Sequence, residues 1–183
     1  LPVLAIVALA ILIDSGRPVL YWSRRVGRNG VPFDMAKFRT MSTDAPELPS
    51  DEITTNVFTS SFSRFLRKSS LDELPQLYNV LRGELSLVGP RPPLPRQTEL
   101  IRRRAEIGVC GLTPGLTGWA QINGRDRLSE EEKVELDRVY MLEQSMLMDV
   151  RILLMTAIRV ITAADVREPT AAEASCSGLN QRN

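Results

Sequence analysis

The chain has 183 residues, with 23 Lys and Arg against 22 Asp and Glu, a formal charge of +1 and no histidine. That length suits one domain with a modest core. The missing histidine excludes a His general base, His metal ligands and a Ser-His-Asp triad. Acid–base or metal chemistry therefore falls to carboxylates, whose natural partner is a hard cation such as Mg²⁺.

Leu1 to Ile13 is an uninterrupted apolar run ending at Asp14-Ser15-Gly16. Crossing a bilayer takes about 20 such residues, so the run is too short to span and reads as a helix buried in a core or lying in a leaflet. It has neither an initiating Met nor a basic stretch before it, which predicts that the chain begins inside a longer sequence and carries no signal peptide. Val19 to Trp22 reads as a strand, Asn29-Gly30 as a two-residue hairpin turn, and Phe33 to Arg39 as the returning strand. Alternation then puts Lys37 and Arg39 on one face. Ser42 to Ser61 is polar and loop-like, and Phe62 to Lys68 a short amphipathic helix.

Next comes Leu71-Asp72-Glu73-Leu74-Pro75-Gln76-Leu77, two adjacent carboxylates at a predicted helix start. Ser69 or Ser70 would cap it, Pro75 fits the first turn, and Gly83 offers the stop. Acids in a first turn commonly serve only as caps. Here they lie between Arg67-Lys68 and the stiff Gly89-Pro90-Arg91-Pro92-Pro93 loop. Its prolines fix the backbone around one guanidinium suited to phosphate oxygens. The segment Thr113 to Arg125 follows as a turn and a donor-rich loop carrying Gln121, Asn123 and Arg125. Ser129 and Glu132 form a capping box opening a helix to about Met146, whose acidic face reads as solvated. Asp149 would cap the apolar helix Val150 to Ile161, which fits a core or a membrane interface equally. The tail from Asp165 is small and polar.

Charge follows this layout. Arg64 to Arg104 holds nine bases against four acids, whereas Asp126 to Asp149 holds eight acids against three bases. The basic region suits a nucleotide diphosphate or anionic lipid. Few aromatics are interleaved and no nucleic-acid-binding signature is present, so nucleic acid is not expected as a partner. Cys110 and Cys176 are widely separated and read as reduced thiols.

Four motifs in order, Lys37-Phe38-Arg39-Thr40-Met41, the Leu71–Leu77 run, Val88-Gly89-Pro90-Arg91-Pro92 and Thr113 to Arg125, resemble the bacterial sugar transferases, the monotopic phosphoglycosyl transferase family. The resemblance runs from about Leu1 to Asp165. It implies an α+β, helix-dominated fold with a β-hairpin and amphipathic helices at the membrane interface. Residues 1–16 would be the exit half of a re-entrant membrane helix broken at Pro2, residues 17–165 the catalytic domain and residues 166–183 a loose tail. Arg17, Arg24, Arg25 and Arg28 would then meet headgroups on the cytoplasmic face of a bacterial inner membrane.

The implied reaction moves a sugar-1-phosphate from a UDP-sugar to polyprenyl phosphate through an aspartyl intermediate, releasing UMP. Asp72 and Glu73 are then catalytic, with Asp72 also a Mg²⁺ ligand. Lys37, Arg67, Arg91, Gln121 and Arg125 bind substrate. Membrane lipids are further partners and a homodimer is one available assembly. Glu84 and Leu85 stand where the family usually has Asp and Met. A non-catalytic membrane anchor of the same fold and a soluble nucleotide-binding domain are the alternatives.

Overall fold

In the computed structural model the described residues are 2–41, 59–124 and 127–162. The apolar run forms α1 (Pro2–Ser15), closed by Gly16 at φ +70°. One stripe of it, Val7 and Ile11, packs on Phe38 and Leu66, while Val3, Ile6, Leu9 and Ile13 stay exposed. The last carbonyls of a helix lack intrahelical partners. Arg39 satisfies them here, its guanidinium donating to the carbonyls of Ser15, Gly16 and Arg17. Lys37 and Arg39, expected on one face of the strand, serve different partners: Arg39 holds the end of α1, and Lys37 reaches Glu73.

The hairpin forms as expected from β1 (Leu20–Val26) and β2 (Pro32–Phe38), antiparallel with Tyr21 opposite Lys37. Asn29 and Gly30 take φ of 55° and 78°, and the Val31 N–H donates to the Arg28 carbonyl at 3.1 Å. Positive φ at both central positions matches the right-handed twist of the strands, and Asn-Gly reaches it cheaply.

After the loop, α2 (Ser61–Lys68) is capped by the Ser60 hydroxyl. The acidic motif does not open an α-helix. It forms a 3-10 helix, Leu71–Gln76, that runs into α3 (Leu77–Leu81), and Gly83 at φ +73° ends the element. Neither expected serine caps it. Ser69 turns back to the carbonyls of Phe65 and Leu66, and Ser70 sits at φ 55° with no side-chain cap bond.

This acidic turn is tied to β2 by Asn79, which is fully buried. Its Oδ1 accepts from the Ala36 N–H at 3.0 Å, and its Nδ2 donates to the Asp34 carbonyl at 2.8 Å and to Glu84 at 2.7 Å. Glu84 thus serves this network, while Leu85 fills the core with Phe33 and Met35. Asn79→Ala strips partners from three groups, the Ala36 N–H among them buried, and is expected to cost about 2–4 kcal/mol, measured by urea unfolding. A loss below roughly 1 kcal/mol would contradict the role given to this side chain.

Two segments read from sequence as separate loops are joined by a short parallel pair, β3 (Ser86–Val88) and β4 (Gly115–Thr117). The backbones approach so closely that a Cβ on Gly115 would lie 2.1 Å from the Gly89 nitrogen, so glycine is required there for space. Between them runs α4 (Thr98–Glu106). The donor-rich loop begins instead with a helical turn, α5 (Trp119–Ile122), where Asn123 is spent on the Trp119 carbonyl.

The capping box is present, with Ser129 and Glu132 exchanging bonds at the start of α6 (Glu130–Glu143). One acid on α6 departs from the solvated reading. Asp137 is buried against Arg104 of α4. The next helix, α7 (Met146–Thr162), starts earlier than expected. Ser145, not Asp149, meets its first N–H groups, and Asp149 accepts from the Tyr140 hydroxyl at 2.8 Å. Core and interface readings of this helix each describe one of its faces. Ile152 is fully buried with Val88, Ile122 and Tyr140, while Leu147, Leu154 and Ile158 are exposed.

The described residues are helix-dominated, with one hairpin and one parallel two-stranded sheet among them. Among the described residues no helix is long and apolar enough to cross a membrane.

Candidate active site

The acidic turn lies against β2, so the hairpin delivers Lys37 directly to it. The Lys37 ammonium donates to Glu73 Oε1 at 3.0 Å, with both side chains largely buried. Arg91 approaches the same oxygen at 4.0 Å. Asp72, the neighbouring residue, is only 9 % exposed.

Arg91 is held by its backbone. Four consecutive carbonyls of the Pro90–Pro93 stretch each accept a hydrogen bond. Pro90 accepts from the Gly115 N–H at 2.9 Å, Arg91 from Arg104 at 2.8 Å, Pro92 from Arg25 at 3.3 Å, and Pro93 from the Val26 N–H at 3.0 Å. Stiffness therefore comes from partners on three elements as well as from proline. Arg104 is itself fixed, donating twice to Asp137 at 2.9 and 2.5 Å.

Arg67 ends α2 on the other flank of the turn. Its Nη1 is buried without a hydrogen-bond partner. A cavity of about 210 Å³ opens beside Glu73, lined by Ser70, Leu74, Leu116, Gln121, Leu153 and Arg159 among others. The Gln121 amide donates to the Leu116 carbonyl at 3.1 Å, while its Oε1 is buried with no partner. An unsatisfied buried donor and acceptor flanking one acidic turn are what a site built for a polar ligand would show. Arg125 lies outside the described residues.

The sequence reading missed Arg25, which it sent to lipid headgroups with Arg17, Arg24 and Arg28. Its side chain instead turns in beside Arg91, donating to the Ser23 hydroxyl at 3.1 Å. Burial first, and then the charge of Arg91, push its pKa down to about 10. The strand alternation held the signal: Tyr21, Ser23 and Arg25 share the face of their cross-strand partners Lys37, Met35 and Phe33.

A resident metal would need several converging oxygens. Among the described residues no group of three or more acidic, His or Cys side chains could hold one. Mg²⁺ is commonly taken through one or two carboxylates with phosphate oxygens completing its shell, and an Asp-Glu pair with Lys37 and Arg91 at Glu73 fits that mode.

The fold and the site define a class: a small α+β domain in which four short motifs bring a carboxylate pair beneath a ring of cations, with an apolar helix on its flank. The chain belongs to the bacterial sugar transferase family, whose model matches residues 1–163. It is 43% identical over 160 residues to an uncharacterized sugar transferase, EpsL, of Bacillus subtilis, covering 85% of this chain and 76% of that one. It is 42% identical over 174 residues to an undecaprenyl-phosphate glucose phosphotransferase of Komagataeibacter xylinus, covering 87% and 32% of the two chains. With a UDP-glucose:undecaprenyl-phosphate glucose-1-phosphate transferase of Escherichia coli the identity is 38% over 170 residues, covering 86% and 36%. The chain thus spans roughly a third of these last two relatives.

Proposed function

We propose that this chain transfers a sugar-1-phosphate from a UDP-sugar to polyprenyl phosphate at the cytoplasmic face of a bacterial membrane. The observation that carries this reading is the convergence of Lys37 and Arg91 on Glu73, next to Asp72, from segments distant in sequence. An Asp-Glu pair under cations is suited to attack on an anionic diphosphate, where charge must be neutralised before a carboxylate can approach. The names of the relatives support the same donor and acceptor classes.

In the first half, a carboxylate oxygen of Asp72 bonds to the β-phosphorus. The bond from that phosphorus to the bridging oxygen breaks, and its electron pair leaves with UMP. Glu73, held between Lys37 and Arg91, positions these cations along the diphosphate. Arg67 donates its buried Nη1 to a phosphate oxygen, and Gln121 offers Oε1 to a donor on the sugar nucleotide. In the second half, a phosphate oxygen of the lipid attacks the same phosphorus and the acyl-phosphate bond breaks, returning the Asp72 carboxylate. Asp72 would hold Mg²⁺, which would supply further charge neutralisation. Glu73 assists this half as base or positioning group.

The exposed apolar faces of α1 and α7 support seating on a membrane. Such seating lets one site serve a soluble donor and a leaflet-held acceptor. The test is UMP release from a panel of UDP-sugars by membrane-extracted protein with Mg²⁺, with and without polyprenyl phosphate. Release with one sugar, sustained only when the lipid is present, is expected. Silence across the panel from folded protein would favour a non-catalytic anchor.

A further inference from the structure

A part-buried arginine normally faces a carboxylate, because an uncompensated charge is costly to desolvate. Arg25 departs from this. Its hydrogen-bond partners are neutral, the Ser23 hydroxyl at 3.1 Å and the Pro92 carbonyl at 3.3 Å. Among the described residues no carboxylate lies in salt-bridge contact with it. The charges it feels most strongly are that of Arg91, which repels it, and that of Glu73, which is nearer to Lys37. Arg96 adds further positive charge on the same side.

Holding the Pro92 carbonyl does not account for a charged group there. The neighbouring Pro93 carbonyl is held by the neutral Val26 N–H at 3.0 Å, so the loop is already tethered to β1 at that point. Arg25 is thus fixed on the carbonyl of the residue next to Arg91, whose own guanidinium lies 4.0 Å from Glu73, so two guanidiniums are carried at one end of the Pro90–Pro93 stretch. Phosphate oxygens match that arrangement, since each planar fork can take two of them.

We propose that Arg25 is a substrate-binding residue that pairs with Arg91 to form a two-guanidinium subsite for a phosphate group. The inference rests on the phosphoryl-transfer reading of the site. The phosphate comes either from the donor nucleotide or from the lipid acceptor. The Arg25 pKa, lowered by burial and by Arg91, accords with a subsite whose repulsion an anion relieves.

The test measures binding without turnover. UMP and, separately, a short-chain polyprenyl phosphate are titrated into the full chain in nanodiscs, comparing native protein with Arg25→Gln and Arg25→Lys. Arg25→Gln is expected to weaken one of the two ligands by about tenfold or more, the loss of one charge-assisted contact. Arg25→Lys, which keeps the charge but not the fork, is expected to fall between. Weakening confined to UMP assigns the subsite to the donor phosphate, and weakening confined to the lipid assigns it to the acceptor.

A merely structural role is separated by thermal unfolding. It would lower the midpoint of each variant yet leave the ligand-induced rise in midpoint intact, and that result overturns the proposal. Binding of both ligands by Arg25→Gln within about twofold of native also overturns it, as does native protein that binds neither. Arg25-dependent binding in a protein that releases no UMP from any sugar would retain the subsite and remove the transferase reading. Native turnover in Arg25→Gln would do the reverse.

Discussion

Asp72→Asn is expected to abolish UMP release, lowering turnover by about 10³-fold or more, because in the proposed mechanism both half-reactions pass through this one carboxylate. Asparagine keeps the shape and removes the nucleophile, so the fold and the Lys37–Glu73 pair at 3.0 Å should survive. Binding of UMP should therefore persist while chemistry stops. Glu73→Gln has a different signature. It takes away the charge that Lys37 and Arg91 share, so donor KM and turnover should change together. If Asp72→Asn retained near-native UMP release with Glu73→Gln silent, the roles of the two carboxylates would have to be exchanged.

Asp137→Ala is expected to destabilise the chain by about 3–5 kcal/mol, the usual cost of removing one partner of a buried ion pair. The Arg104 and Asp137 side chains are 6% and 2% exposed, so the abandoned guanidinium cannot reach bulk water without moving α4 or α6. The double replacement Arg104→Met with Asp137→Leu removes both charges and should recover most of that stability. It cannot restore activity fully, because the Arg91 carbonyl loses the donor now at 2.8 Å. A displaced Arg91 is expected to lower kcat/KM by about tenfold even in the stable double variant. Chemical denaturation and steady-state kinetics on the same preparations separate the two effects. Equal instability of the single and double variants would contradict the electrostatic account.

What the sequence made legible was local or motif-borne. Asn29-Gly30 specifies its turn through positive φ, and the Ser129–Glu132 box through two reciprocal bonds, so neither needs tertiary context. The acidic pair, Lys37 and Arg91 were legible because their motifs recur in order, and the structure brings them together. Gln121 lies by the same cavity.

The rest depended on long-range packing. Asn79 is an ordinary helix residue in sequence, and its bonding is set by a strand more than forty residues away. The β3–β4 pair has three residues a side, too few to show a period. Arg39 and Arg25 were each read by neighbourhood, one with Lys37 and the other with headgroup-facing arginines. A long side chain chooses among partners up to several ångströms apart, and each of these two found its partners on an element distant in sequence, Arg39 at the end of α1 and Arg25 on the Pro92 carbonyl. Asp137 stood among solvated acids until α4 placed Arg104 over it.

The central claim is that Asp72 carries the sugar phosphate covalently. The direct measurement is the mass of the full chain and of its Asp72 peptide after incubation with the accepted UDP-sugar and Mg²⁺ in the absence of lipid. The account expects a sugar-phosphate adduct on Asp72, formed with an equivalent of UMP and discharged when polyprenyl phosphate is added. No adduct, with UMP appearing only once the lipid is present, would contradict the two-step mechanism.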